Sequence, residues 1–190
     1  LTYWEPLTDE FPSLSISSIS ISPLDSNRIF AGIGRTSSAV GVGGPENGLL
    51  YSADGGDTWT LLGREIFSGL RITDVVPTSI MAAGGQVVFV STLDVDRDGD
   101  NVLDNEGGVF LGEVSPDGTT STFVKISGDG SSGLPAAHYT DLIMDPGDVS
   151  RPLRLFAATP NFGIYQWTQP PDGDGLWHQV NTGFQFGTDG

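Results

Sequence analysis

The chain has 190 residues, with 24 Asp and Glu against 8 Lys and Arg and a formal net charge of −16. This charge argues against a nucleic acid partner, whose phosphates require clustered Lys and Arg. The absence of cysteine excludes disulfides and thiol chemistry, and the short apolar runs argue against membrane insertion. With 27 Gly and 12 Pro, long helices are disfavoured, and the composition predicts a turn-rich, all-β protein.

Three successive stretches of the chain share one order of predicted elements. Each stretch has four short apolar or alternating strands separated by Gly, Pro, Asn or Asp, which is the signature of successive hairpins. The strands of the first stretch are predicted within 18–23, 28–34 and 48–62, the last range holding two strands. Those of the second stretch are predicted at 72–77, 86–92, 107–112 and 122–126. Those of the third are predicted at 139–146, 154–159, 163–167 and 176–180.

An aromatic residue closes each of these units. It recurs at Trp4, Trp59, Phe123 and Trp177. A four-strand unit repeated at this period is the sequence form of a β-propeller blade. We therefore predict about three four-stranded antiparallel blades belonging to a larger propeller. An up-and-down sandwich or a β-solenoid would also produce repeated strands.

The predicted organisation is a single propeller segment over residues 1–190. It divides into a closing strand with a lead-in segment (1–14), a blade (15–64), a blade with an inserted loop at 94–106 (65–127), a third blade (128–184) and a tail (185–190). Three blades are fewer than a closed ring requires. Trp4 has the position of a last strand whose first three strands are missing. We therefore expect further blades from a longer chain, or closure through self-association.

The eight residues from Ser52 to Trp59 lie at the predicted turn between the third and fourth strands of the first unit. They read Ser-Ala-Asp-Gly-Gly-Asp-Thr-Trp. This segment resembles the Asp-box, or BNR repeat, Ser-x-Asp-x-Gly-x-Thr-Trp. Every defining position is met, namely Ser52, Asp54, Gly56, Thr58 and Trp59. The second unit keeps Ser115, Asp117 and Gly118 but inserts a residue, and the third retains Asp172 and Trp177.

The Asp-box resemblance implies a propeller similar to those of sialidases, xyloglucan-cleaving enzymes and sortilin-like proteins. In that family the turn lies at the blade periphery and its role is structural. We expect Asp54 to accept hydrogen bonds from turn amides and Gly56 to supply an unusual backbone angle. We expect Trp59 to pack between adjacent sheets.

The inserted loop at 94–106 concentrates acidic side chains around a single Arg. Alternating carboxylates repel one another unless a cation joins them, and oxygen ligands at every second residue suit Ca²⁺. One register begins at Asp94, as in an EF-hand, but places Asn105 where a bidentate Glu is expected. The preferred register takes as ligands Asp96, Asp98, Asp100, the carbonyl of Val102 and Asp104, with Asp94 or Glu106 completing the shell.

The preferred register resembles the calcium loops of thrombospondin type 3 repeats. The simpler interpretation is a solvated acidic loop, which most charge runs are. The regular alternation and the flanking strands favour a Ca²⁺ ion that pins the insertion. Because millimolar calcium is an extracellular condition, we expect a secreted or cell-surface protein.

Two carboxylates are the best candidates for catalysis. Asp74 and Asp141 each follow a Thr at the start of a unit's first strand, and glycoside hydrolysis needs two carboxylates that face each other across a cleft. The simpler interpretation is that both satisfy turn amides. A sugar platform of aromatic side chains is a further candidate, formed by Tyr139, Phe162, Tyr165 and Trp167.

These features predict a secreted, calcium-stabilised Asp-box propeller that acts as a binding or structural module rather than as an enzyme. The expected ligand is a glycan or an extracellular protein, including copies of the chain itself, and Ca²⁺ is the expected cofactor. The alternative is the N-terminal part of a glycoside hydrolase of the sialidase or xyloglucanase type. A third class is an assembly factor similar to the Asp-box propellers of photosynthetic membranes.

Overall fold

The computed structural model describes residues 5–13, 15–34, 44–93, 106–148, 150–160, 162–170 and 173–181. These residues form twelve strands and one four-residue helix, α1 (Arg64–Phe67). No helix within them is long and apolar enough to cross a membrane. The strands belong to three four-stranded sheets.

Each sheet is a run of consecutive antiparallel strands. The first sheet contains β1 (Ile16–Ile21), β2 (Ile29–Ile33), β3 (Leu49–Ser52) and β4 (Thr60–Leu62). The second contains β5 (Arg71–Ala82), β6 (Gly85–Leu93), β7 (Val109–Val114) and β8 (Ser121–Lys125). The third contains β9 (Asp141–Asp145), β10 (Arg154–Thr159), β11 (Gly163–Thr168) and β12 (Trp177–Gln179). The predicted all-β architecture of three four-stranded antiparallel units is confirmed, and the sheets are consistent with propeller-like blades.

Strand β5 is longer than the pattern predicts. The predicted range of this strand, 72–77, ended at Pro77, a residue that cannot donate a ladder hydrogen bond. Instead the strand continues to Ala82, and the register with β6 shifts between Pro77 and Met81. The shift accommodates the missing donor, and the Thr78 hydroxyl donates to the Val87 carbonyl at 2.8 Å beside it. The predicted strand end was therefore wrong, because the register shift after Pro77 lets the strand continue without a hydrogen bond from the proline.

The sheets pack through their first strands. Strand β5 contacts β1 and β2, and β9 contacts β5 and β6. Serine hydroxyls of β1 stabilise the contact between β1 and β5. Ser17 donates to the Ile72 carbonyl at 2.6 Å, and Ser20 donates to the Val75 carbonyl. Gly34 permits the close approach, since a methyl group there would overlap the Ile72 carbonyl oxygen.

Two apolar cores separate the three sheets. The core between the first and second sheets includes Phe30, Tyr51, Phe67, Phe110 and Phe123. The core between the second and third sheets includes Phe89, Tyr139, Leu142, Leu155 and Trp177. Because successive side chains of a strand point to opposite faces, each core uses one face of a sheet. The first and third sheets therefore each keep a second face that does not contact the second sheet.

Candidate functional site

The turn between β3 and β4 is organised by Ser52 and Asp54. The Ser52 hydroxyl donates to Asp54 Oδ1 at 2.8 Å and accepts from the Gly56 amide at 2.9 Å. Asp54 accepts from the Thr58 amide at 2.9 Å and from the Thr58 hydroxyl at 2.5 Å. The hydrogen bonds from Thr58, followed by that from Ser52, lower the pKa of Asp54 to about 2. These contacts lie within the turn, so they give Asp54 a structural role.

Trp59 anchors the same turn to the first sheet. Its indole nitrogen donates to the Gly56 carbonyl at 3.0 Å, and Gly56 has a φ of 103°, which favours glycine. The ring packs against the cluster formed by Ala31, Ile33 and Leu50. Gly32, on the intervening position of β2, approaches Ile72 of the second sheet. Trp59 therefore covers the face turned away from the second sheet. None of the other described sheets lies on that face, so the packing of Trp59 between adjacent sheets stays a prediction.

The turn between β7 and β8 repeats this hydrogen-bonding pattern. The Ser115 hydroxyl donates to Asp117 Oδ1 at 2.7 Å, and Asp117 also accepts from the amide and hydroxyl of Thr119 at 3.1 and 2.9 Å. These bonds, with that of Ser115 the largest cause, lower the pKa of Asp117 to about 2. Sequence reasoning missed Thr119, although a Thr two residues after the Asp was the available signal.

Asp74 and Asp141, the candidate catalytic pair, are brought together by the packing of β9 against β5. Their side chains are in hydrogen-bonding contact. Asp74 also accepts from the Ser18 hydroxyl at 2.7 Å, the Val75 amide at 2.9 Å and the Leu142 amide at 3.4 Å. Side chains from the first strands of all three sheets therefore meet here.

Burial raises the pKa of Asp74, and the Asp141 carboxyl raises it further, while the hydrogen bonds from Ser18 and the two amides oppose the rise. Hydrolysis of a glycosidic bond requires carboxyls about 5–5.5 Å apart for retention, or about 6.5–9.5 Å apart for inversion. A hydrogen-bonded pair of carboxyls would be closer together than either spacing. The bonds that Asp74 accepts from main-chain amides instead favour a role in joining the sheets.

The pH dependence of stability tests this role. Because the folded pKa of Asp74 is raised, its contribution is fully present below the unfolded pKa of about 3.9 and is lost as pH rises through the folded pKa. We expect Asp74→Asn to match the wild type in acid and to gain in relative melting temperature towards neutral pH. Melting curves by circular dichroism across this range provide the measurement.

Asp54→Asn is the matched control with the opposite sign. The lowered pKa of Asp54 stabilises the fold above about pH 3.9, and that contribution is lost as pH falls through its folded value. We expect this variant to be less stable than the wild type at neutral pH, with the difference closing in acid. An Asp74→Asn variant that is less stable at every pH would contradict the assignment.

A cleft of about 420 Å³ opens between the second and third sheets. Its aromatic residues are Phe89, Trp167 and Trp177, and Phe89 lies 6.0 Å and 6.2 Å from the two indole rings between centroids. The polar side chains among its described lining residues are Glu113, Ser132 and Gln169. This arrangement offers a concave, largely apolar surface typical of binding sites.

The predicted aromatic platform is only partly found at this cleft. Trp167 lines the cleft. Tyr139 and Tyr165 are buried in the core between the sheets, and Phe162 is exposed but is not among the described lining residues. Sequence reasoning missed Phe89 and Glu113. Strand alternation places both side chains on the same face of the second sheet, but it does not show that the third sheet leaves a gap over that face.

The predicted calcium ligands Asp94, Asp96, Asp98, Asp100, Val102 and Asp104 lie outside the described residues. Their segment is an insertion between β6 and β7, preceded by Leu93 and followed by the exposed Glu106. The Thr92 amide donates to the Gly108 carbonyl at 2.8 Å, and the Gly108 amide donates to the Thr92 hydroxyl at 3.0 Å. The described residues contain no cluster of three acidic or histidine side chains suited to a metal. The calcium site stays a prediction.

No family model matches the chain, and no curated protein shows significant similarity to it. The Asp-box assignment therefore depends on the residue pattern at 52–59 and on the residues of the turn that carry it.

Proposed function

We propose that this chain is a secreted, calcium-stabilised Asp-box propeller segment that acts as an extracellular binding module. The observation that carries the proposal is the open aromatic cleft between the second and third sheets. Phe89 and Trp177 are buried at its floor, whereas Leu111 is exposed at its edge. A preformed concave surface of this kind is the usual form of a binding site.

The contrast with the other intersheet contact supports this interpretation. Between the first and second sheets, Phe67 of α1 packs edge-on against Phe110 and Phe123, with ring centroids 5.1 and 4.9 Å away. Between the second and third sheets, the connection at 126–140 contributes Leu134 and Tyr139 to the core. The space between the outer strands, beside Leu111, is left open. The two faces of the second sheet therefore differ, and the open cleft lies on the face toward the third sheet.

A glycoside hydrolase is the less favoured function. Asp74 and Asp141 are the predicted catalytic carboxyls, and the hydrogen-bonding effect of Asp141 on the pKa of Asp74 favours a closer approach than the spacings used by glycosidases. The pair also lies where three sheets meet, and Asp74 is engaged by Ser18 and by main-chain amides. These contacts stabilise the fold and leave little capacity for a reaction.

The faces of the first and third sheets that point away from the second sheet support a structural role for this chain within a larger assembly. Ile19 and Ile21 of β1 are 69% and 60% exposed, and Ile143 and Ile164 are exposed on the outer face of the third sheet. Apolar residues aligned on a strand face normally pack against another layer. Additional blades or further copies of this chain would bury both faces.

Calcium dependence and ligand binding are tested together. A Ca²⁺ concentration a hundredfold above Kd stabilises a fold by about 2.7 kcal/mol, which corresponds to a melting temperature about 5–10 °C higher in a chain of this size. We expect EDTA to lower the melting temperature by this amount and CaCl₂ to restore it. Asp96→Asn combined with Asp98→Asn should abolish the response, whereas Asp9→Asn combined with Glu10→Gln should preserve it.

For the binding function, the calcium-loaded protein is screened on a glycan array and on an array of extracellular peptides. A reproducible ligand on either array supports the binding module. Hydrolysis of a glycoside panel without a stable ligand would favour the enzyme. An EDTA-independent melting temperature would remove the calcium-based argument for secretion.

A further inference from the structure

We propose that the cleft between the second and third sheets binds a partner peptide. The peptide would insert an aromatic or aliphatic side chain that is flanked by Lys or Arg. The site rests on the proposed binding function and names its ligand class. Three features carry the inference: the apolar lining, the small number of available polar groups and the negative charge on the wall.

The walls of the cleft match one large apolar side chain. Trp167 is partly exposed, Leu111 is 37% exposed, and Pro170 is exposed at the mouth. The buried rings of Phe89 and Trp177 form the floor. A volume of about 420 Å³ lies within the range of small-ligand pockets and exceeds that of a single phenyl group.

The polar groups are too few for a sugar. The Ser132 hydroxyl already donates to the Ile126 carbonyl and accepts from the Leu134 amide at 3.2 Å. Glu113 and Gln169 are then the side chains left to recognise polar atoms of a ligand. A glycan presents several hydroxyls that each require a partner when they lose water, so this cleft suits an apolar ligand better.

The charge of the cleft selects a cation. Glu113 lies on the wall and accepts a hydrogen bond from the Gly84 amide at 2.8 Å through Oε2, which fixes the position of the carboxylate. None of the described lining residues is Lys or Arg, and the chain carries a net charge of −16. A cation over the face of Trp167 would gain a cation–π contact in addition to the attraction of Glu113. An anionic ligand would be repelled.

Three small probes of one shape and different charge test the site: phenethylamine, 2-phenylethanol and 3-phenylpropionate. Binding is followed by tryptophan fluorescence, with methyl glucoside as a sugar probe. We expect phenethylamine to bind about three- to fivefold more tightly than the alcohol, as one exposed ion pair provides. We expect 3-phenylpropionate to bind more weakly than both. The difference should shrink in high salt.

Two variants locate the binding. Glu113→Gln keeps an acceptor for the Gly84 amide and should reduce phenethylamine affinity to that of the alcohol, leaving the alcohol unchanged. Leu111→Arg places a charged side chain at the mouth and should weaken phenethylamine binding at least tenfold. Leu24→Arg, at a 41% exposed leucine in the β1–β2 turn, is the matched control and should bind like the wild type.

The peptide Lys-Phe-Lys, with blocked ends, extends the test to the proposed partner, and Glu-Phe-Glu is its charge-reversed control. Equal affinity for both peptides, or phenethylamine binding that Leu111→Arg leaves intact, would overturn the site. Preferential binding of methyl glucoside would overturn the ligand class. If an array ligand binds the Leu111→Arg variant normally, the binding function stands and this cleft is not its site. If no array ligand and no probe binds, both proposals fail.

Discussion

Replacement of Phe67 by alanine is expected to lower the free energy of unfolding by about 3–5 kcal/mol. Phe67 is fully buried, and its ring packs edge-on against Phe110 and Phe123. Alanine would leave a cavity between the first and second sheets, and it would remove the aromatic contacts made with β7 and β8. The helix that carries Phe67 has only four residues, so its position depends on this side chain.

Ile66→Ala is the matched control for this substitution. Ile66 lies beside Phe67 in α1 but is 37% exposed, and we expect a change within about 0.5 kcal/mol, as for most surface positions. Urea unfolding followed by tryptophan fluorescence provides both values. Similar losses in the two variants would mean that the burial of Phe67 between the sheets adds little beyond what an exposed side chain of α1 contributes.

Replacement of Gly118 by alanine is expected to cost about 2–5 kcal/mol, the sum of a left-handed backbone penalty and an overpacking penalty. Gly118 has a φ of 69°, and a methyl group there would overlap the ring of Tyr51 from the first sheet. The Tyr51 hydroxyl donates to the Pro116 carbonyl at 2.7 Å. The β7–β8 turn therefore contacts the first sheet through this tyrosine, and the substitution would separate them.

Gly130→Ala isolates the two parts of this effect. Gly130 has a φ of 77°, and a methyl group there would meet no other atom within 4 Å. We expect this control to lose only the backbone penalty of about 1–2 kcal/mol. The additional loss in Gly118→Ala measures the contact with Tyr51. An equal loss in both variants would show that the tyrosine moves aside at no cost.

The fold was predictable because its signals are local. Alternating serine and isoleucine in β1, the β-branched run of β6 and the glycine-rich turns each specify a strand or a hairpin without reference to distant residues. The turn between β3 and β4 is equally local, since Ser52, Asp54 and Thr58 bond one another within seven residues. Strand β5 was the exception, because its continuation past Pro77 depends on pairing with β6.

The candidate sites were less predictable because they form between sheets. The order of predicted strands identified Asp74 and Asp141 as equivalent positions, but only the packing of β9 against β5 places their carboxyls in contact. That contact supports the simpler of the two interpretations, in which the carboxyls have a structural role. The cleft beside Trp167 and Glu113 had no signal in the strand pattern, since a gap between layers depends on how both surfaces fit.

The amino-acid sequence by itself determined an acidic, all-β chain of three four-strand units with a Ser-Asp-Thr hydrogen-bonded turn and a carboxylate-rich insertion. Strand alternation and turn chemistry act over a few residues, so they can be recognised in the sequence without knowledge of the tertiary contacts. The tertiary structure alone decided which faces meet, including the filled space around Phe67 and the open one beside Leu111. Packing between layers joins residues far apart in the chain, and its shape depends on the volumes of all of them.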